Sequence, residues 1–320
     1  MKPGAKTAIC YGEILWDILP DGPQPGGAPL NVAYHLTKLG VETKMISRVG
    51  KDLNGEGLLS LMENWGLSTS LVQVDQEHET SQVLAKIGKD NEVSYEIVYP
   101  VAWDFIAEPE QINTGNDAAD YFIYGCLAAR NPTSKDTLIK LLDTPAIKVF
   151  DINLRPPFYD KALLEILLAK ADILKFNEAE LDIVHDMFAD PREKEREKIN
   201  FIQQHFGIEE IIVTKGALGA NYYKGDHTYH TGSSKIEVVD TIGSGDSFLA
   251  TFIAYHSKGE HPEEIAKINS AVNRSLLEMQ DLKTSQVSDA REKFDIIFTN
   301  PPFGAKVKVD RSIIYKEDGT

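Results

Sequence analysis

Two aspartates, two glycines and a serine run straight into an apolar stretch in DTIGSGDSFLATFIAY, residues 240–255. The order reads as strand, small-residue loop and amphipathic helix. Gly243 and Gly245 permit backbone conformations that side chains would block. The N–H groups of Gly243, Ser244, Gly245 and Asp246 can then converge on one anion at the positive end of the helix. The same dipole favours an ionised Asp246. A carboxylate beside an anion hole suits phosphoryl transfer to an alcohol. The aspartate accepts the hydroxyl proton while the N–H cradle stabilises the moving group. An ordinary strand-to-helix turn with Asp246 as N-cap would use the same residues. Neither GxxxxGK(S/T) nor GxGxxG is present in this loop.

Two further groups have spacing that suits a site. DINLRPPF ends a strand at a loop, and Asn153 and Arg155 emerge there at the carboxyl edge of a sheet, where open α/β sheets bind ligands. In NEAE, Asn177 and Glu180 lie one turn apart at a helix start and can face one spot. A loop salt bridge for Arg155, and a capping Asn177 with a solvent-facing Glu180, are the plain alternatives.

The elements that must position these residues alternate. TAICYGEI, TKMISRVG, DYFIYG, IKVFDI, ADILKF and EEIIVTKG read as strands, and NVAYHLTKLG, GEGLLSLMENWGL, SKDTLIKLLD, KALLEILLAKA and EAELDIVHDMF as helices. This alternation predicts an α/β fold of three layers, a mostly parallel sheet with helices on both faces. Two segments break the rhythm, about 11–27 and 81–104, and read as strands joined by turns. They are expected to form a small β flap, or lid, with GKDNE as a hairpin turn. The charged run PREKEREKINFIQQHFG reads as a solvated helix, GDHTYH as an exposed hairpin, and HSKGEHPEEIAKINSAVNRSLLEMQ as helix throughout.

DTIGSGDSF resembles the DTxGAGD signature of the ribokinase-like, or pfkB, carbohydrate kinases, with Ser244 where alanine is usual. PGGAPLNVAYHLTKLG followed by SRVGKDLNGEGL is similar to that family's glycine-pair motif, in the form most like its fructokinases. FDINLRPPFY, ILKFNEAEL and VTKGALGA follow in family order, so the resemblance runs from about Thr7 to Leu277. It implies an ATP-dependent kinase acting on a sugar hydroxyl, fructose first. Asp246 would be the base, and Gly243, Ser244 and Gly245 the anion hole. Asp17, Gly26, Gly27, Asn31 and Arg155 would bind the sugar. Thr214, Gly216, Gly219 and Thr241 would line the nucleotide, and Asn177 and Glu180 would help hold Mg²⁺ with its waters. A K⁺ ion would lie by Asp240 and Ile242. Trp103 either closes over the sugar or packs in the core. The lid could pair across a homodimer.

Composition is consistent with this. A net charge of −16 over 320 residues argues against nucleic acid or an anionic membrane as the main partner. Cys10 and Cys126 form no framework, and no long apolar run or signal peptide is seen, so a cytoplasmic location is expected. The expected kinase domain is 1–281. The segment 282–320 departs from the family, and FDIIFTNPPFG within it resembles the NPPF motif of amino-group DNA methyltransferases. A methyltransferase-related chain using 240–246 and 300–303 is therefore one rival. A non-catalytic sugar-binding protein on the kinase scaffold is the other, although pure binding has no need of Asp246.

Overall fold

The computed structural model describes residues 6–19, 22–87, 92–110, 119–231, 244–265 and 307–308. A first strand, β1 (Thr7–Tyr11), leads into an antiparallel pair, β2 (Leu15–Leu19) and β3 (Gly22–Gly26). Helix α1 (Ala28–Lys38), strand β4 (Glu42–Gly50), helix α2 (Leu53–Trp65) and strand β5 (Val72–Asp75) follow. Strands β6 (Ser81–Ile87) and β7 (Glu92–Ile97) form a second antiparallel pair.

The chain then alternates through β8 (Tyr121–Tyr124), α3 (Pro132–Leu141), β9 (Ile147–Asp151), α4 (Lys161–Leu168), β10 (Ile173–Asn177), α5 (Glu178–Phe188), α6 (Glu195–Phe206) and β11 (Glu210–Thr214). A hairpin of β12 (Ala220–Lys224) and β13 (His227–Thr231) precedes α7 (Ser244–His256), and Val307–Lys308 form β14.

Nine strands make one sheet in the order β13-β12-β11-β10-β9-β8-β1-β4-β5. It is parallel from β11 to β5, with the β12–β13 hairpin added antiparallel at one edge. Side chains of a buried parallel strand must be apolar on both faces, and they divide between two cores. Phe122, Tyr124, Phe150, Leu174, Phe176, Ile211 and Val213 pack with α3, α4, α5 and α6. Tyr121, Ile123, Val149, Ile173 and Ile212 pack with α1, α2 and α7. This is the expected three-layer α/β architecture.

The small sheet runs β14-β7-β6-β2-β3 and corresponds to the expected lid. Its hairpin residues 88–91 lie outside the described residues. One carboxylate ties it to the body. Asp52 caps α2 by accepting from Gly55 N at 2.8 Å, and it also accepts from Thr80 N and Thr80 Oγ1 at 2.8 and 2.7 Å, just before β6. Asp52→Ala is expected to lower stability by about 1–2 kcal/mol. An unchanged urea midpoint would remove it as a brace.

One expectation changes. The stretch after 255 is not one helix, because α7 ends at His256 and Gly259 breaks the chain with φ 73 before residues 262–265 resume helix. Of the two readings of Trp103, packing in the core is the one seen. Trp103 is fully buried in a 3₁₀ turn (Ala102–Phe105), under the Arg130 guanidinium at 3.9 Å. Among the described residues, no helix is long and apolar enough to cross a membrane.

Candidate active site

The parallel strands point their carboxyl ends one way, and the candidate residues gather there. α1 starts where β3 ends. Gly27, at φ 111, makes the turn, and a Cβ at this position would run into the Glu13 carbonyl. Gly26 has the same need for a different reason, since its Cβ would overlap the Asp17 carboxylate. Gly26 thus lets the Asp17 side chain lie against backbone just before α1, and Gly27 lets the chain turn closely past Glu13.

Packing of α1 on α7 brings the next pair together. Asn31, in the first turn of α1, donates from Nδ2 to Asp246 Oδ2 at 2.8 Å. The helix begins at Ser244, so Asp246 stands inside its first turn and is not its N-cap. The backbone of Gly245 is close to a cation, with Lys175 Nζ 3.2 Å from where a Cβ would stand.

Lys175 is the residue that motif reading did not single out, together with its partner Asp151. They pair in register, Asp151 at the end of β9 and Lys175 in the middle of β10, and Nζ donates to both Asp151 oxygens at 2.8 Å. Strand alternation turns both toward α7, since Leu174 and Phe176 face the opposite core. A lysine inside the apolar run ILKF is the available signal, because a buried lysine needs a partner.

Burial governs the electrostatics. It pushes the Asp246 carboxyl up to about 6, against the opposing pull of Lys175. It pushes Asp17 up to about 7, with Arg155 opposing. Glu13, another residue the motifs did not mark, is also raised to about 7 by burial, with Arg155 and Arg130 pulling it down. Burial works to lower the Lys175 ammonium, but Asp151, Asp246 and Glu180 outweigh it and the net shift is upward. Arg155 is therefore close enough to act on Asp17, Glu13 and Asp246. It leaves the strand just after Asn153, whose φ of 40 is one that asparagine tolerates.

These carboxyls make a testable link to stability. With a folded value of about 7 against an ordinary 3.8, Asp17 stays protonated in the fold where the unfolded chain ionises it. Its contribution is full below pH 4 and is lost as pH rises through about 7. At pH 8, without sugar, Asp17→Asn should gain on the order of 1–3 kcal/mol over wild type, and that gain should vanish near pH 4. A pH-independent difference in melting would contradict this origin.

Asn177 and Glu180 form a reciprocal capping box. Asn177 Oδ1 accepts from Glu180 N at 2.9 Å and Glu180 Oε2 accepts from Asn177 N at 2.8 Å. Glu180 Oε1 also accepts from Leu154 N at 3.0 Å, so this carboxylate is buried and braces the DINLR loop, and it does not face solvent. Each of these oxygens keeps a second lone pair. Thr214 pairs with Asn177 across β11 and β10, and its hydroxyl donates to Phe176 O at 3.1 Å. Gly216 and Gly219, at φ 53 and 91, make the tight turn into β12.

Thr241, Gly243 and the cation position at Asp240 and Ile242 lie outside the described residues, as do the side chain of Ser244 and the NPPF stretch at 300–303. Asp17, Gly26, Gly27, Asn31, Gly245, Asp246 and Arg155 belong to one cluster. Asn177, Glu180, Thr214, Gly216 and Gly219 sit beside it along the strand ends.

The model of the pfkB family carbohydrate kinases matches residues 22–277. A curated relative, "Probable fructokinase-4" from Arabidopsis thaliana, is 26% identical over 273 residues, covering 78% of this chain and 82% of its own. Two solved structures have the same fold. A fructokinase with bound ATP from Xylella fastidiosa superposes with a TM-score of 0.74 at 22% identity, covering 84% of this chain and 91% of its own. A fructokinase from Vibrio cholerae O395 in a fructose-, ADP- and calcium-bound form gives 0.71 at 20% identity, covering 84% and 92%. The loop at 240–246 falls inside the matched span, which leaves the methyltransferase resemblance only the stretch at 300–303.

Proposed function

The chain belongs to the pfkB family of carbohydrate kinases and is an ATP-dependent sugar kinase, and from that premise we propose that it phosphorylates fructose, with Asp246 as general base. The observation that carries the role of Asp246 is its setting. It is a buried carboxylate in the first turn of α7, fixed by Asn31 and opposed by Lys175. Fructose is favoured by the relatives, several of which are described as fructokinases.

In this reading the sugar lies between the lid and the head of α1. Asp17, whose oxygens have no partner among the described residues, exchanges hydrogen bonds with sugar hydroxyls, while the backbone of Gly26 and Gly27 approaches closely and Asn31 orients Asp246. Asp246 takes the proton of a primary hydroxyl as that oxygen attacks the terminal phosphorus of ATP in line and ADP leaves from the opposite side, with no phosphoenzyme. Backbone N–H groups of 243–246 and Arg155 stabilise charge on the moving group. Thr214, Gly216, Gly219 and Thr241 line the nucleotide. The lid excludes water and limits ATP hydrolysis.

Mg²⁺ fits the neighbouring pair, because Glu180 and Asn177 retain lone pairs at a strand end and the ion keeps several waters. Bound there with ATP, it would neutralise phosphate charge. In this proposal residues 1–281 form the kinase domain, Val307–Lys308 add an edge strand to its lid, and the chain works in the cytoplasm as a homodimer formed through the lid.

A coupled ADP-release assay with MgATP and a sugar panel tests the proposal. Fructose should give the highest kcat/KM. A better neutral sugar would revise the substrate alone, while silence across the panel would remove the catalytic role of Asp246.

A further inference from the structure

The lid carries more buried polar atoms toward the sugar than the binding residues named above account for. β2 pairs antiparallel with β3 and parallel with β6, which sets Gln24 directly across from Asp17 and Ser81 directly across from Leu15. Paired residues share a face of a sheet, as do residues two apart along a strand. Asp17, Gln24 and Ser81 therefore stand on one face, at the end of the lid where Gly26 meets the Asp17 carboxylate. Trp16 takes the opposite face and turns to α2, where its Nε1 donates to Asn54 O at 2.9 Å.

On the inner face, satisfaction fails. Asp17 and Ser81 are each 1% exposed. Yet both carboxylate oxygens of Asp17, Oε1 of Gln24 and Oγ of Ser81 have no hydrogen-bond partner among the described residues. Asn31 Oδ1 and Glu13 Oε2, on the body side of the cluster, are in the same state. Folded proteins leave few buried polar atoms unpaired, because each costs about 1–3 kcal/mol. So dense a group marks a surface built for a ligand that brings its own hydrogens.

The chemistry of the group narrows that ligand. Gln24 Oε1 and Asn31 Oδ1 only accept, the Ser81 hydroxyl both donates and accepts, and the Asp17 and Glu13 carboxyls accept once ionised, above about 7. Asp17, Glu13 and Asp246 are three carboxyl groups acted on in common by Arg155. At pH 8, above the values of all three, a carboxylate or phosphate on the non-reacting part of the substrate would meet several like charges, with the one Arg155 guanidinium already shared among them. Resting on the reading of this site as the sugar pocket, we infer that Gln24 and Ser81 are specificity-determining residues that, with Asp17, read hydroxyls away from the reacting carbon. The pocket thereby selects neutral polyhydroxy sugars over sugar acids and sugar phosphates.

The test uses the full-length chain, with sugar binding measured by calorimetry and turnover by ADP release. The panel holds fructose, ribose, monodeoxy fructose analogues, 2-keto-3-deoxygluconate and fructose 6-phosphate. Neutral sugars should bind at least about tenfold more tightly than either anion, one lost hydrogen bond being worth roughly that factor. Gln24→Leu and Ser81→Ala should each raise sugar Kd and KM about tenfold, with kcat and the KM for ATP within about twofold. Ser81→Ala should also erase the penalty for one monodeoxy analogue, because its hydroxyl has lost its partner. A general packing defect would not single out one position.

Tighter binding of the acid or the phosphate than of every neutral sugar would overturn the inference, as would unchanged sugar affinity in both variants. Binding that follows the expected pattern without ADP release would leave the inference standing and remove the catalytic reading of Asp246.

Discussion

Asp246→Asn is expected to lower kcat by about 10²–10⁴ while sugar Kd stays within a few-fold of wild type. Asparagine keeps an oxygen that can accept from Asn31 Nδ2, so the α1–α7 contact that positions the residue survives. Asp17, Gly26, Gly27 and Asn31 remain to bind the sugar. Only the capacity to take up a proton is lost. The wild-type pH profile supplies an independent arm. Burial raises Asp246 to about 6, and a base acts only when ionised, so kcat/KM should climb as pH rises through about 6. The residual activity of the variant should lack that limb. In stability the sign is opposite, because a raised carboxyl favours the fold below its ordinary value of 3.8 and loses that contribution as pH passes about 6. Turnover close to wild type at pH 7 would remove Asp246 as base.

Lys175→Met should have the second largest effect, through two routes that can be separated. Asp151, 4% exposed, would lose its only side-chain partner among the described residues and remain buried as an uncompensated charge, costing about 3–5 kcal/mol. Asp246 would also lose the cation that pulls its carboxyl down. Its titration should then move above 6, carrying the acidic limb of kcat/KM upward and lowering activity at neutral pH. Adding Asp151→Asn to Lys175→Met should restore much of the lost stability, since no buried charge is left unpaired, but should not restore the acidic limb to its wild-type position. Urea unfolding and pH profiles of the single and double variants measure both quantities. If the acidic limb stays put in the single variant, Lys175 is a structural cation only.

Legibility varied along the chain for physical reasons. The strands and helices from β8 to β11 were readable because each turns between two apolar cores at a fixed period, and periodicity is a local property. The glycine loop, the NEAE box and the paired glycines were readable as motifs, because each needs a residue type that little else can replace. Gly259 was harder to read. A single glycine in a polar, helix-favouring run costs only about 1 kcal/mol against alanine, and its break after α7 depends on its left-handed φ of 73.

Local sequence by itself determined the alternation of strand and helix, the two interruptions that become the lid, and the residue types able to cradle phosphate and accept a proton. Those are outcomes of backbone conformation and hydrogen-bond chemistry over a few neighbouring positions. Only the tertiary structure decided that Asn31 meets Asp246 across 215 positions. The same holds for the Lys175–Asp151 pair beside the glycine loop and for Asp17, Gln24 and Ser81 on one inner face. Those meetings depend on strand register and on α1 packing against α7. Register and packing are settled by burying both faces of one sheet at once, a condition that no single segment contains.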